Sequence, residues 1–167
     1  LDKNLLLVDI GGTNIRYAYS NIGDSDFVSE NKAELDSLND FYNLMSELLA
    51  EADVKNIVFS VAGPKVNNSI KMTNRNFEID AHEIRKRFNL ESCYLLNDWE
   101  SIGYSIRTFA ENDFDTFKEG EPFNDTFLVI GPGTGLGASV ISGNNVIATE
   151  IGNTNLGLSA LKSLLKI

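Results

Sequence analysis

Leu5-Leu6-Leu7-Val8-Asp9-Ile10-Gly11-Gly12-Thr13-Asn14-Ile15-Arg16 is the stretch on which the fold turns. Its aliphatic run reads as a buried strand that ends in an aspartate and two glycines, and a second strand-like run over 15–19 follows at once. A glycine pair lets the backbone turn tightly and opens main-chain N–H groups to a ligand, with no Cβ in the way. Asp9, where the strand emerges, is sited to face a metal or the metal shell of a phosphate. The competing reading is a β-hairpin with an ordinary glycine turn and a solvated aspartate, since short glycine motifs are weak without context.

Working outward, residues 27–33 read as a third strand that completes a meander after the turn cluster 21–26. Ser37 or Asn39 caps a helix through Asp53, with Leu38, Phe41, Met45, Leu48 and Ala52 at helical spacing. Residues 55–62 form a second buried strand, stopped by Gly63-Pro64, and 65–72 an edge hairpin arm. Asp80 caps a short helix through Phe88. The apolar strand 93–96 then ends in Asn97-Asp98, and 99–110 reads as a helix. Strands alternating with helices after a meander indicate an α/β fold with a mixed sheet. The acidic, turn-rich segment 111–125 is the best linker, dividing an N-terminal α/β lobe over 1–110 from the start of a second lobe over 126–167.

Composition narrows the function classes. The chain has 167 residues, 43% of them apolar, enough for a core. A formal charge of −10 and a pI near 4.5 argue against nucleic acid or an anionic membrane as partner. A phosphate must therefore be held locally, by loop N–H groups, a metal or a few placed cations. Cys93 is the only cysteine, which leaves no intrachain disulfide and no zinc cluster. The apolar run after Lys3-Asn4 is too short to span a bilayer and shows no secretory pattern, so a reducing cytoplasm is the expected location. The chain opens without methionine, so its true start is expected to have been lost or processed.

A second glycine stretch, Gly131-Pro132-Gly133-Thr134-Gly135-Leu136-Gly137, follows the apolar run 127–130 and precedes a hairpin over 138–149. Glycines at alternate positions supply unhindered N–H donors for an oxyanion or phosphate, or else simply make a wide turn. No Gly-Lys-Ser/Thr follows, so this is not a P-loop. A strand rather than a helix comes next, which excludes a dinucleotide fingerprint. Asn97-Asp98 stands at the C-terminal end of a buried strand, the edge at which open α/β sheets bind ligands. A carboxylate there can take a proton from a substrate hydroxyl while the amide orients that substrate. The competing role for Asp98 is to cap the following helix. Glu150 is either a ligand-facing carboxylate or a solvated strand end.

Together and in order, residues 9–16, Leu96-Asn97-Asp98-Trp99-Glu100-Ser101, residues 131–137 and Glu150-Ile151-Gly152-Asn153 resemble the bacterial glucokinase family, in the hexokinase branch of the actin-like ATPase superfamily. Met72-Thr73-Asn74-Arg75-Asn76 is similar to that family's Thr-Asn segment near the sugar. The resemblance implies a mixed-sheet actin-like ATPase (ribonuclease H-like) lobe with the beginning of a second lobe. It implies transfer of the γ-phosphoryl of ATP to the 6-hydroxyl of glucose. Asp98 would be the general base, with Asn97, Glu150, Asn153 and Asn74 binding the sugar. Asp9, Gly11, Gly12, Thr13 and Asn14 would line a first phosphate loop, with Asp9 near Mg²⁺ through water. Gly133, Thr134, Gly135 and Gly137 would form the second.

Asn153 stands where the family usually has histidine, which changes the reach of its hydrogen bond; His82, on a different helix, is expected at the surface. The family's chains run on for roughly another domain, so a chain ending here is expected to be inactive alone. Another hexose, another phosphoryl donor and a homodimer stay open. The alternatives from other classes are a non-catalytic sugar- or nucleotide-binding regulatory module and a chain that self-associates through 126–167.

Overall fold

The computed structural model describes residues 2–12, 14–72, 77–121, 124–132 and 136–149. The chain divides into two compact units, Leu1–Ser101 and Ile102–Ile167.

The first unit is built on five strands: β1 (Leu5–Ile10), β2 (Asn14–Ser20), β3 (Val28–Glu34), β4 (Asn56–Val61) and β8 (Ser92–Asn97). They lie in the order β3-β2-β1-β4-β8. The first three form the antiparallel meander, while β4 runs parallel to β1 and β8 parallel to β4. Parallel neighbours need a crossover. Helix α1 (Leu38–Glu51) supplies the first, between β3 and β4, and the 65–87 segment supplies the second.

Register explains the core. Tyr19, Leu6, Ile57 and Cys93 lie side by side across the sheet, followed by Tyr17, Val8, Phe59 and Leu95, and then by Ile15, Ile10, Val61 and Asn97. Because side chains alternate faces along a strand, these rows share one face. All but Tyr17 are buried. Phe41, Met45 and Leu48 of α1 are buried too, and the Phe41 and Phe59 rings meet at 5.9 Å. Each fully buried aliphatic or aromatic side chain here contributes about 1.5–3 kcal/mol. Tyr19 keeps its hydroxyl satisfied inside that layer by donating to the Leu48 carbonyl at 3.0 Å and to the Glu51 carboxylate at 3.1 Å.

A small sheet of β5 (Lys65–Val66), β6 (Ser69–Lys71) and β7 (Glu78–Asp80) follows β4, so the expected hairpin arm has a third strand. Helix α2 (Ala81–Arg87) starts at Asp80, whose Oδ1 accepts the N–H groups of His82 and Glu83 at 2.7 and 2.9 Å. His82 is exposed.

Helix α3 (Asp98–Ser105) is shorter than the sequence pattern predicts. It tightens into a 3₁₀ turn over Ile106–Thr108, and a second such turn covers Glu111–Asp113. Ser105 and Thr108 donate their hydroxyls back to the carbonyls of Ile102 and Ser105, local bonds that compete with continued α-helix. In the second unit β9 (Thr126–Pro132), β10 (Leu136–Ser142) and β11 (Asn145–Thr149) form an antiparallel meander. Within the same unit Gly103 packs against this meander, since a Cβ there would lie 2.5 Å from Val146 Cγ1 and 2.8 Å from Ser139 Oγ. No described helix is long and apolar enough to cross a membrane.

Candidate active site

Parallel register brings the C-terminal ends of β1, β4 and β8 level: Ile10 pairs with Val61, and Val61 with Asn97. Asp9, the Gly11-Gly12 corner, Gly63 and Asn97-Asp98 therefore share one edge of the first unit.

At the first corner the Gly11 N–H donates to the Asn14 carbonyl at 2.9 Å and closes the β1–β2 turn. That donor is spent within the protein. Asp9 is exposed and lies directly across from Arg16, also exposed, on β2. A cation thus sits on the same face as the carboxylate expected near the metal.

At the second corner Asn97 is buried, and its side chain holds the turn. Its Oδ1 accepts the N–H groups of Trp99 and Glu100 at 3.0 and 3.3 Å, while its Nδ2 donates to the Gly63 carbonyl at 2.9 Å. Glu100 answers by accepting the Asn97 N–H at 3.1 Å through Oε2. This reciprocal pair is a capping box with asparagine in the N-cap position. The cap of α3 is therefore Asn97, not Asp98, and Asp98 occupies the first helical position instead. Its Oδ1 accepts the Trp99 N–H at 3.0 Å.

Asp98 is half-buried. Burial pushes its carboxyl above the ordinary aspartate range, and the Asp9 charge adds to the rise. Backbone N–H groups and the Asn97 side chain act in the opposite direction. A carboxylate that is desolvated, ionisable and fixed by its neighbours is suited to accept a proton from a bound hydroxyl.

Sequence reasoning missed Lys65 and Glu100. Lys65 Nζ meets Glu100 Oε2 at 2.7 Å and Oε1 at 2.9 Å, and also donates to the Leu95 carbonyl at 3.1 Å. No local signal joins residues 35 apart. The Asn-x-x-Glu spacing at 97–100 was the signal available for Glu100.

Among the remaining expected site residues, Asn14 opens β2, and Gly137 lies in β10 opposite Gly131. Thr13, Asn74, Gly133, Thr134, Gly135, Glu150 and Asn153 lie outside the described residues. Among the described residues no three acidic, histidine or cysteine side chains cluster as a metal cage. The exposed carboxylate of Asp9 fits an ion that keeps most of its waters and shares phosphate oxygens, as Mg²⁺ does.

The family model described as Glucokinase matches residues 6–163. The chain is 31% identical over 150 residues to a glucokinase of Nostoc punctiforme, covering 84% of this chain and 44% of that one. It is 28% identical over 164 residues to a glucokinase of Neisseria gonorrhoeae, covering 92% and 49%. Among solved structures, the glucokinase of an Antarctic psychrotroph superposes with a TM-score of 0.73 at 24% identity, over 96% of this chain and 55% of that one. A ROK family glucokinase from Streptomyces griseus, in complex with glucose and AMPPNP, gives 0.67 at 20% identity over 92% and 51%. These structures share the actin-like ATPase fold anticipated from the sequence. The chain spans about half the length of the curated relatives it matches. With the family model covering nearly all of it, the chain belongs to the glucokinase family.

Proposed function

We propose that this chain is the sugar-activating part of a hexose kinase that moves the γ-phosphoryl of ATP to the 6-hydroxyl of glucose. The observation that carries the proposal is Asp98: a half-buried carboxylate at the C-terminal edge of parallel strands, one residue past the Asn97 cap and held by the Trp99 N–H. In the proposed step the sugar hydroxyl gives its proton to Asp98 as its oxygen bonds to the γ-phosphorus, and the bond to the β-phosphate bridging oxygen breaks to release ADP. Such transfers draw mostly on positioning and charge stabilisation. Mg²⁺, when bound, would neutralise charge on the phosphate oxygens, with Asp9 holding it through water. Arg16 adds a cation on the same face. Gly12, with Thr13, would line the first phosphate loop, and residues 133–137 the second.

Two relatives' names and one complex with glucose and a nucleotide support hexose and ATP as the pair. The test is to incubate the full gene product with glucose, ATP and magnesium and to follow phosphorus NMR. Appearance of a sugar 6-phosphate with equimolar ADP is expected. ATP that stays intact with glucose and with other hexoses would overturn the proposal.

A further inference from the structure

The described part of the first unit contains one ion pair that is substantially buried, Lys65 with Glu100. Their side chains are 27% and 9% exposed, whereas the carboxylates of the other two pairs, Lys3–Asp24 and Lys55–Asp53, are 51% and 85% exposed. Exposed pairs contribute little; a buried one is costly to break, because the surviving charge is left without its partner.

This pair stands beside Asp98 from two sides. Lys65 follows Gly63 by two residues and opens β5, just after β4. Gly63 holds the Asn97 side chain through its carbonyl at 2.9 Å, and Lys65 holds Glu100 at 2.7 and 2.9 Å. Glu100 in turn accepts the Asn97 N–H, and Lys65 also grips the Leu95 carbonyl on β8. The short segment Gly63–Lys65 therefore clamps the residue before Asp98, the residue two after it and the strand that delivers it. Gly63 can make this approach because it takes φ +146° with the Lys71 carbonyl close by.

We propose that Lys65 and Glu100 are positioning residues for Asp98: the buried pair locks the Asn97–Glu100 capping box and so fixes where the Asp98 carboxylate points. This rests on Asp98 being the base of the reaction proposed above. The Lys65 charge is there to make Glu100 tolerable as a buried acceptor. A neutral acceptor of the same shape would close the box without it. That requirement separates positioning from general support of the fold.

The experiment compares Lys65→Met, Glu100→Gln and the double variant in the full gene product. Lys65→Met is expected to lower kcat at least tenfold with the hexose KM little changed, since small displacements of a reacting group cost rate before they cost binding. The double variant, whose glutamine still accepts the Asn97 N–H, is expected to return kcat to within about threefold of wild type. A Lys65→Met enzyme with wild-type kcat, or a double variant no better than the single, would overturn the proposal.

If the wild-type product phosphorylates no hexose, the base assignment falls by itself, and amide exchange then decides the network. Exchange at Trp99 and Glu100 is expected to rise at least tenfold in Lys65→Met and to return in the double variant, because those N–H groups are the box's donors. Unchanged rates would overturn the network as well.

Discussion

Asn97 and Glu100 cap one another: the Asn97 side chain accepts the Glu100 N–H at 3.3 Å, and the Glu100 carboxylate accepts the Asn97 N–H at 3.1 Å. The exchange leaves Asp98, one residue into α3, outside the box, with its own Oδ1 accepting the Trp99 N–H at 3.0 Å. A strand end, a helix start and a carboxylate are thereby fixed in one turn.

Gly63→Ala attacks this turn through the backbone. At φ +146° an added Cβ would lie 2.7 Å from the Lys71 carbonyl oxygen, a backbone atom that cannot swing aside. Strain at such a position costs about 1–3 kcal/mol, before any loss of the Asn97 anchor. Urea unfolding of the chain should show a midpoint lowered accordingly, with unchanged slope.

Asp98 carries opposite signs for activity and stability. Its carboxyl is raised by burial, so the ionised form needed by a base is lost at a higher pH than for an ordinary aspartate, and kcat/KM should fall with acid from there. For stability, a raised carboxyl favours the fold below its unfolded value, and that contribution is lost as pH rises through the folded value. Asp98→Asn should therefore raise the thermal midpoint at neutral pH.

Asp80 behaves in the opposite way. The N–H of Glu83 and the Ser69 hydroxyl, at 2.9 and 2.7 Å, hold its carboxyl below the ordinary range. Its stabilisation is present above the unfolded value and is lost as pH falls through the folded one. Asp80→Ala should cost about 1 kcal/mol at neutral pH, the usual worth of an N-cap. The difference from wild type should shrink in acid, by denaturation at several pH values.

Cys93 lies in the row of Tyr19, Leu6 and Ile57, and burial pushes its thiol up to about 12. The thiolate is the reactive form. A disulfide-exchange reagent should leave the folded chain unmodified over hours and titrate one thiol on unfolding. Rapid reaction of the native chain would contradict the packing.

What was legible in the sequence was whatever local chemistry dictates. Aliphatic runs ending in Gly11-Gly12, Gly63-Pro64 and Asn97-Asp98 mark strands β1, β4 and β8, and Ser37 and Asp80 announce their helices. The order of motifs carried the family and its fold. The end of α3 was misread because the apolar spacing of Ile102, Ile106 and Phe109 continues where Ser105 and Thr108 turn the backbone inward. The competing role considered for Asp98, the helix cap, belongs to Asn97, since both residues are good caps and packing against Gly63 chooses between them. Lys65 reads as one more polar residue of an edge arm. Its partner is revealed only once the Lys65 side chain reaches the Leu95 carbonyl on β8 and the Glu100 carboxylate.

The central claim is that Asp98 accepts the hydroxyl proton. Steady-state kinetics of Asp98→Asn in the full gene product, with glucose and ATP, test it most directly. The account predicts a kcat lowered by about 10²–10⁴ with the glucose KM near wild type, because the amide cannot take the proton but fills the same space. A variant that keeps wild-type kcat would contradict it.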